Sequence, residues 1–264
     1  MIRQSLAQTK RGTFAVELPN PFKGLMPCPV GTGFFVSQDG VFVTAAHVIT
    51  QDGKPDGPPR VDLEKSWLMA EPPPDDWGRR MCVGMSLLHI DAQHDIAILK
   101  VDLAANRDKA WMSDGFPFIP VSFDELEEAE PVYSFGYPLA HATHVDFGEV
   151  MYGDSVLTPR ITSAIVSSKI EKTEMVRGEV LPHVYVLDKA LNYGNSGGPI
   201  VAIATGFVHA VSSRFIPVTI VQRASDGKES TLKIPSLYSV AFGLSNGPVR
   251  QALEVLGVRQ AVQP

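Results

Sequence analysis

The sequence predicts an all-β protein of two antiparallel β-barrels with one α-helix at its C-terminus. Short apolar runs alternate with turns along most of the 264 residues, a pattern typical of β-strands. Glycine and proline occur 22 and 21 times, and both favour turns over long helices. Because two blocks of such runs flank a polar connector, two barrels are the expected architecture. The periodicity alone leaves a single β-sandwich open.

These patterns divide the chain into five parts. A polar N-terminal segment, a first barrel, a connector, a second barrel and a C-terminal helix with its tail are expected at 1–13, 14–105, 106–130, 131–244 and 245–264. We expect the N-terminal segment to be flexible, because it is polar and terminal. The acidic run at 124–128 in the connector is expected to be a solvated turn.

The clearest local pattern in the first block is a β-hairpin. Two apolar runs, Gly33–Val36 and Val41–Thr44, are separated by a turn with Asp39–Gly40 at its tip, which is a strong hairpin signal. Further along, Asp95–Val101 is apolar enough to predict a buried strand.

The second block contains seven short apolar runs, which predict strands near 132–138, 161–168, 183–188, 198–204, 207–213, 231–235 and 238–244. One helix is predicted, at the C-terminus. Asn246 and Pro248 provide a cap and an early proline. Three apolar residues then recur at helical spacing before Gly257, namely Val249, Leu253 and Leu256.

Composition excludes several classes of function. The net charge of −6 does not supply the basic face that nucleic-acid binding requires. No run of eighteen apolar residues predicts a membrane span, and the first residues lack the apolar core of a signal peptide. With two cysteines, a reducing compartment and a cytoplasmic location are expected. A Cys28–Cys82 bridge remains an alternative.

The strongest chemical signal is the segment Gly194–Pro199, which reads GNSGGP. A serine hydroxyl becomes a useful nucleophile only when a base removes its proton. It also needs donors that stabilise the oxyanion formed by its attack. The glycines around Ser196 allow a tight turn that points backbone N–H groups into one hollow. We therefore expect an oxyanion hole at Gly194, Asn195 and Ser196, with the Gly194 and Ser196 N–H groups as donors.

Two further segments supply a base and a carboxylate. His47 ends an apolar run behind small residues, where an imidazole can be held rigidly. Asp95 opens a predicted buried strand, where its carboxylate can orient the imidazole. Asp91, four residues earlier, is the rival. The order His, Asp, Ser differs from the orders of subtilisins and α/β-hydrolases.

These segments resemble the trypsin-like serine proteases, and within them the HtrA/Deg-like branch. The matching segments are GTGFFV, TAAHV, DIAIL, FGYP, ITSAIVSS, DKALNYGNSGGP and VAFGLSNGPVRQALEVL, at 31–36, 44–48, 95–99, 135–138, 161–168, 188–199 and 240–256. The resemblance implies two perpendicular six-stranded chymotrypsin-like barrels, with a triad of His47, Asp95 and Ser196 in the cleft between them. It implies no cofactor.

The chain departs from this family in three respects. HtrA-like proteins usually carry PDZ domains after the terminal helix, whereas this sequence ends at Pro264. Loops at 51–60, 71–80 and 217–235 look individual, so the family's trimeric assembly is not carried over. Digestive relatives have an aspartate before the nucleophile, which pairs with a freed amino terminus. Asn195 carries no charge, so we expect no such activation, and the oxyanion hole must be ordered by other means.

The resemblance also suggests a specificity pocket. Ala190 lies six residues before Ser196, where cleavage after Lys or Arg would need a carboxylate. Four apolar residues are expected near the pocket, namely Leu191, Val211, Phe215 and Val240, although each could equally belong to the barrel core. A preference for small or medium aliphatic residues before the cut follows. The segment Ala210–Ser213, which includes Ser212, is expected to pair with substrate backbone as an added strand.

The sequence therefore predicts a serine endopeptidase with polypeptide substrates. An inactive or partner-gated peptide-binding module of the same fold is the alternative, and an esterase is a third. Without a PDZ domain, control by a regulatory protein partner is expected. No nucleic acid, membrane or cofactor enters this prediction. His141 and His144 have an H-x-x-H spacing but lack helix support and a third ligand, so no metal site is predicted.

Overall fold

The computed structural model describes residues 2–18, 28–60, 63, 66–69, 80–101, 115–138, 141–146, 151–156, 159–170, 174–176, 179–181, 184–189, 191, 194–223 and 229–262. The seven strands of the N-terminal half, β1–β7, are Thr13–Leu18, Cys28–Phe35, Val41–Ala45, Ser66–Met69, Arg80–Val83, Met85–Asp91 and Ile96–Val101. A single 3₁₀ turn, Ala46–Val48, follows β3.

The ten strands of the C-terminal half, β8–β17, are Pro131–Gly136, His141–Asp146, Met151–Val156, Arg160–Ile170, Glu174–Val176, Glu179–Leu181, Val184–Leu187, Pro199–Ala202, Val208–Arg223 and Glu229–Gly243. Two helices, α1 and α2, span Ile2–Gly12 and Gly247–Val255. No helix in the described ranges is long and apolar enough to cross a membrane.

The N-terminal strands form one antiparallel sheet in the order β5-β4-β1-β2-β3-β7-β6. Its two edge strands, β5 and β6, are consecutive in the chain and are joined by Gly84 alone, so the sheet curls until its edges meet there. The described strands form a seven-stranded sheet here, so a six-stranded first barrel stays a prediction. The predicted hairpin at Asp39–Gly40 is confirmed as the β2–β3 connection, closed by a Val36 N–H to Val41 carbonyl bond of 2.9 Å.

The C-terminal half contains a closed barrel in the order β11-β14-β17-β16-β15-β8. This confirms a six-stranded antiparallel barrel in the second half of the chain. Two short hairpins, β9–β10 and β12–β13, form separate two-stranded sheets. The pairing of β16 with β17 runs out to Arg223 and Glu229, so these two strands continue well past the residues that pair with the rest of the barrel.

The core of the N-terminal sheet is aromatic. The Phe35 ring stacks on Phe116 with centroids 4.1 Å apart. It also meets Phe14 and Phe42 edge to face, at 5.3 and 4.9 Å. All four side chains are essentially fully buried, and edge-to-face and stacked pairs of this kind add to the stabilisation from burial.

A second core cluster joins the two halves of the molecule. Phe34 and Ile98 come from the N-terminal sheet, whereas Val211 and Phe242 come from the C-terminal barrel. Because all four side chains are buried together, the two halves pack directly on each other. Side chains from β3 and β16 can therefore meet in one site.

The N-terminal segment corrects the expectation of a flexible terminus. Residues Ile2–Gly12 form the helix α1, and the Thr9 hydroxyl is 3.0 Å from the Tyr133 hydroxyl in a buried pair. A polar helix of this length gains little from propensity alone. Tertiary contacts of this kind, which the sequence pattern does not show, hold it in place. The other predicted domain boundaries stay predictions.

The terminal helix α2 is confirmed close to its predicted start. Asn246 precedes it, and the Arg250 N–H donates to the Asn246 carbonyl at 2.8 Å. Pro248 lies in the first turn, where its missing N–H costs nothing. Val249 and Leu253 are buried, so the predicted apolar face packs on the barrel.

The strand register separates the two cysteines. Cys28 on β2 pairs with Leu18 on β1, while Cys82 on β5 pairs with Trp67 on β4. Because β1 and β4 lie between β2 and β5, the separation is three strand spacings, roughly 14 Å. A disulfide needs Cα atoms within about 7 Å. The register therefore excludes a bridge between Cys28 and Cys82 within one chain.

We predict that Phe35→Ala lowers the free energy of unfolding by about 3–5 kcal/mol, because it empties the centre of the aromatic cluster. Urea unfolding followed by tryptophan fluorescence measures the change. Leu237→Ala, at a side chain that is 77% exposed, is the matched control and should stay within about 0.5 kcal/mol of wild type. Equal effects of the two substitutions would contradict the central place of Phe35.

Candidate active site

His47 and Asp95 form a hydrogen-bonded pair. The His47 Nδ1 atom lies 2.7 Å from Asp95 Oδ2, and the His47 backbone N–H donates to Asp95 Oδ1 at 2.9 Å. The pairing of β3 with β7, which sets Ala45 opposite Ile96, brings the residues that follow β3 next to those that precede β7. The pairing of these two strands thus places the imidazole next to the carboxylate.

Asp95 has an unusual backbone conformation. Its φ is +50°, in the left-handed region that non-glycine residues rarely occupy. The residue ends the turn between β6 and β7, and its carbonyl accepts the Ala46 N–H at 3.0 Å. Left-handed residues at such positions are held by the surrounding contacts. The turn therefore aims a carboxylate that is 3% exposed at His47.

Ser213 connects this pair to Ser196. The Ser213 hydroxyl donates to Asp95 Oδ2 at 2.5 Å, and its carbonyl accepts the Ser196 hydroxyl at 2.8 Å. A register shift between β16 and β17 leaves Ser213 unpaired between Ser212 and Arg214, as a β-bulge does. The bulge turns both polar groups of Ser213 towards the site. The three predicted catalytic residues are thus joined by one chain of hydrogen bonds.

The role of Ser213 was not predicted from the sequence. It was assigned only to a strand beside the substrate, and no motif marks it. Ser212 is placed differently from that expectation as well. Its N–H and carbonyl bond to the backbone of Gly198 and Gly197, so both groups already have partners within the protein.

The turn around Ser196 depends on two glycines with positive φ. Gly194 has φ +94° and Gly197 has φ +84°, conformations that side chains disfavour. A Cβ at Gly197 would lie 2.0 Å from the Thr32 carbonyl oxygen, and one at Gly194 would lie 2.4 Å from the Tyr137 carbonyl oxygen. Both distances are impossible contacts, so the turn requires glycine at these positions.

The predicted oxyanion donors are available within the described part of the chain. No hydrogen bond there engages the N–H of Gly194 or of Ser196. Between them, Asn195 is 3% exposed, and its carbonyl accepts the Gly198 N–H at 2.8 Å. The loop is thus closed on itself, and the role of these two N–H groups as oxyanion donors stays a prediction.

The predicted pocket residues have different surroundings. Ala190 lies outside the described residues. Leu191 and Ala210 are buried in the core of the second barrel, and Val211 and Val240 are buried in the cluster that joins the two halves. Phe215 is half-buried on β16.

One serine near the pocket segment was missed. Ser239 on β17 is fully buried, and its hydroxyl donates to the Lys189 carbonyl at 2.6 Å. It ties the strand to the segment that leads towards Ser196. Nothing in its sequence context separates it from other strand serines.

The rival carboxylate, Asp91, has a different partner. Its Oδ2 lies 2.8 Å from His94 Nδ1, and its Oδ1 accepts the N–H groups of Gln93 and His94. Burial raises the pKa of Asp91, but the hydrogen bonds and the charge of His94 lower that pKa by more, so it lies below its usual range. Asp91 therefore braces the turn that carries Asp95, and it does not face His47.

A cavity of about 360 Å³ opens beside the Asp95 side of the site. It lies between the loop after β3, the β6–β7 turn and the start of the β16 extension. Its lining residues are Pro55, Asp56, Ala92, Gln93, Asp95, Arg214 and Phe242. The residues of the described ranges form no cluster that could hold a metal ion, and His141 and His144 lie on β9.

The fold and this geometry agree with a known domain family. The model of the trypsin-like peptidase domain matches residues 31–211, which is more than half of the chain. The chain therefore belongs to the trypsin-like peptidase domain family.

Within that family the chain resembles HtrA-type proteases. Serine protease HTRA1 of Xenopus laevis is 25% identical over 182 residues, which are 68% of this chain and 30% of that protein. The magnetosome formation protease MamE of Magnetospirillum gryphiswaldense is 28% identical over 184 residues, 70% of this chain and 18% of that protein. The chain thus spans less than a third of the length of these relatives.

A solved structure supports the same fold. The HtrA-type protease AlgW with a decapeptide superposes with a TM-score of 0.56 at 17% identity, covering 97% of this chain and 66% of that one. The resemblance to the HtrA branch of trypsin-like serine proteases is confirmed.

We predict that Asp91→Asn lowers the free energy of unfolding by about 1–2 kcal/mol at pH 7, because His94 loses a charged partner. A carboxyl whose pKa is lowered on folding stabilises the protein above its unfolded pKa, about 3.9. That stabilisation disappears as the pH falls through the folded value. The difference in the free energy of unfolding between wild type and Asp91→Asn should therefore persist from pH 7 to pH 5 and shrink below about pH 4.

Denaturant unfolding of wild type and variant at several pH values measures this deficit. Asp56→Asn, at an exposed carboxyl, is the control and should change stability by less than about 0.5 kcal/mol. A deficit that is the same at pH 3 and pH 7 would show that the charge of Asp91 contributes nothing.

Proposed function

We propose that this chain is a serine endopeptidase that cleaves polypeptides through an acyl-enzyme intermediate. The observation that carries the proposal is the continuous connection from His47 through Asp95 and Ser213 to Ser196. A serine hydroxyl, an imidazole base and a buried carboxylate that holds the imidazole are the parts that peptide-bond cleavage by serine requires. Membership of the trypsin-like peptidase domain family supports the same chemistry.

The geometry suggests how the steps proceed. With Nδ1 bonded to Asp95, the Nε2 atom of His47 is the one that accepts the Ser196 proton as the hydroxyl oxygen attacks the scissile carbonyl. The oxyanion that forms takes hydrogen bonds from the Gly194 and Ser196 N–H groups. His47 then gives its proton to the leaving amine. Water, activated in the same way, hydrolyses the acyl-enzyme and restores Ser196.

The resting hydroxyl favours the alternative of a gated enzyme. Ser196 Oγ donates to the Ser213 carbonyl, and within the described part of the chain it makes no bond to the His47 ring. Rotation about the Cα–Cβ bond of Ser196 must release it before attack. A substrate that occupies the cleft, or a regulatory protein partner, is the proposed cause of that release.

Specificity for small or medium aliphatic residues before the cut is part of the proposal. Phe215, which is half-buried on β16, offers apolar surface for this preference, whereas Leu191 is buried in the core of the second barrel. The segment Ala210–Ser213 was expected to pair with substrate backbone. Because the N–H and carbonyl of Ser212 are already bonded to Gly198 and Gly197, we propose the residues that follow Ser213 on β16 for that pairing. We also propose a cytoplasmic location. Cys28 and Cys82 are too far apart to form a disulfide within one chain. The fold therefore does not depend on the oxidising compartment in which disulfides persist.

We expect a serine-reactive peptidyl phosphonate to label wild-type protein once, at Ser196, and to leave Ser196→Ala unlabelled. Unfolded casein should be cleaved by the wild type alone. Ser230→Ala, at an exposed serine on the distal part of β17, is the matched control and should label and cleave normally. Intact-mass measurement and gel electrophoresis give the two readouts.

The outcomes of this experiment separate the candidate functions. Labelling with casein cleavage supports the endopeptidase. Labelling without cleavage, restored by a cell extract, supports partner gating. Hydrolysis of small esters without casein cleavage indicates an esterase. Absence of labelling at any phosphonate concentration, both with and without the cell extract, overturns the proposed catalytic role of Ser196.

We predict that a peptide library is cleaved mainly after small and medium aliphatic residues, with differences of about 10–200-fold per methylene at most. Phe215→Ala should shift the preference towards larger aliphatic residues, because it widens the pocket. Leu237→Ala, which removes an exposed apolar side chain, should leave the profile unchanged. Preferred cleavage after Lys or Arg would contradict the proposed pocket.

A further inference from the structure

The segment Gly194–Ser196, called the oxyanion loop below, lies directly against the end of β8 and the two residues that follow it. A Cβ at Gly136 would lie 2.6 Å from Asn195 Oδ1 and 3.4 Å from Asn195 Cα. From the other side, a Cβ at Gly194 would lie 2.4 Å from the Tyr137 carbonyl oxygen and 3.0 Å from Pro138 Cα. The two backbones therefore touch along three residues, and a shift of one must move the other.

Thr32 joins these two backbones with a single buried hydroxyl. Its Oγ1 donates to the Gly194 carbonyl at 2.5 Å and accepts the Tyr137 N–H at 3.1 Å. Its own N–H donates to the Ser196 carbonyl at 2.8 Å. Thr32 is fully buried, so water cannot replace these bonds at low cost. The carbonyl side of Gly194 is thereby fixed to Tyr137.

Tyr137 is in turn anchored at the junction of α1 and β1. Its hydroxyl donates to the Thr13 carbonyl at 3.2 Å, and both residues are fully buried. Thr13 continues the connection, since its hydroxyl donates to the Thr9 carbonyl of α1 at 2.7 Å. A continuous set of buried contacts thus runs from the N-terminal helix to the oxyanion loop, at a distance from His47 and Asp95 in the sequence.

We propose that Tyr137 is a positioning residue for the oxyanion loop, and that its hydroxyl ties the conformation of that loop to the end of α1. The inference rests on the proposed function, because it concerns the donors that the reaction would use. Asn195 carries no charge to pair, so neutral hydrogen bonds must hold the loop. The Tyr137 hydroxyl connects those bonds to another part of the fold, because it donates to Thr13 at the junction of α1 and β1.

The expected consequence is a defect in turnover and not in substrate binding. The oxyanion exists only after attack, so an error in the donor positions weakens an interaction made in the transition state. Loss of such an interaction lowers kcat and kcat/KM by the same factor and leaves KM unchanged. Since a displacement of about 1 Å can cost about 100-fold, a partial loosening should cost about tenfold.

The test compares two tyrosine-to-phenylalanine variants, one on β8 at Tyr133 and one directly after β8 at Tyr137. Tyr137→Phe removes the hydroxyl that reaches Thr13. Tyr133→Phe is the matched control, because it also removes a buried hydroxyl that bonds to α1, through Thr9, yet no hydrogen bond in the described ranges joins its side chain to the oxyanion loop. Both variants should lose similar stability in urea unfolding. Only Tyr137→Phe should lower kcat, by about tenfold, with KM within about twofold of wild type.

A transition-state analogue gives a second readout. A peptide boronate forms a tetrahedral adduct whose oxygen occupies the oxyanion hole, whereas the product peptide does not need that hole. The affinity of Tyr137→Phe for the boronate should fall by the same factor as kcat, and its affinity for the product peptide should not change. Equal kcat and boronate affinity in the two tyrosine variants overturn the proposal.

Thr32 variants keep the proposal testable if Tyr137→Phe folds poorly. Thr32→Ser retains the hydroxyl and should retain most of the turnover. Thr32→Val matches the volume of threonine without the hydroxyl and should reproduce the turnover defect. Full activity of Thr32→Val overturns the connection through Thr32.

Failure of this inference and failure of the proposed function look different. If wild-type protein is neither labelled nor active, the proposed function fails. Hydrogen exchange of the backbone N–H groups at 194–198 then tests the positioning alone. Faster exchange in Tyr137→Phe than in Tyr133→Phe supports the link from Tyr137 to the loop, and equal exchange overturns it.

Discussion

The buried carboxylate of Asp95 is the interaction on which the rest of the site depends. It accepts three hydrogen bonds, from the His47 ring, the His47 backbone N–H and the Ser213 hydroxyl. A buried ionised group is costly unless such bonds replace its water. Each bond therefore serves two purposes, because it makes the burial of Asp95 tolerable and also fixes the position of a neighbour that the chemistry needs.

That carboxylate joins the two halves of the molecule. His47 and Asp95 belong to the N-terminal half, whereas Ser196 and Ser213 belong to the C-terminal half. Their alignment depends on the shared apolar core, in which Phe34 and Ile98 pack with Val211. Cores of this density transmit small displacements, so packing far from Ser196 contributes to its alignment with His47.

Features that depend on local sequence could be predicted, and features that depend on register could not. The hairpin at Asp39–Gly40, the helix α2 and the turn around Ser196 each have their own turn or cap residues, so the pattern alone indicates them. Asp91 and Asp95 both precede the same strand. The sequence favours Asp95 because it opens the apolar run directly, and the pairing of β3 with β7 then places it next to His47.

The role of Ser213 depends on a bulge between β16 and β17, which leaves no trace in the sequence. The helix α1 could not be predicted for a similar reason, because nothing in the sequence shows that the polar residues Thr9 and Thr13 are buried in the fold.

A single neutral hydrogen bond contributes only about 1 kcal/mol, so the ordered conformation of a loop held by Thr32 and by neighbours of this kind is favoured by a modest free energy. A ligand that binds the ordered loop more tightly than the disordered loop shifts such a balance. The order of the oxyanion loop and the occupancy of the cleft should therefore be coupled in this protein.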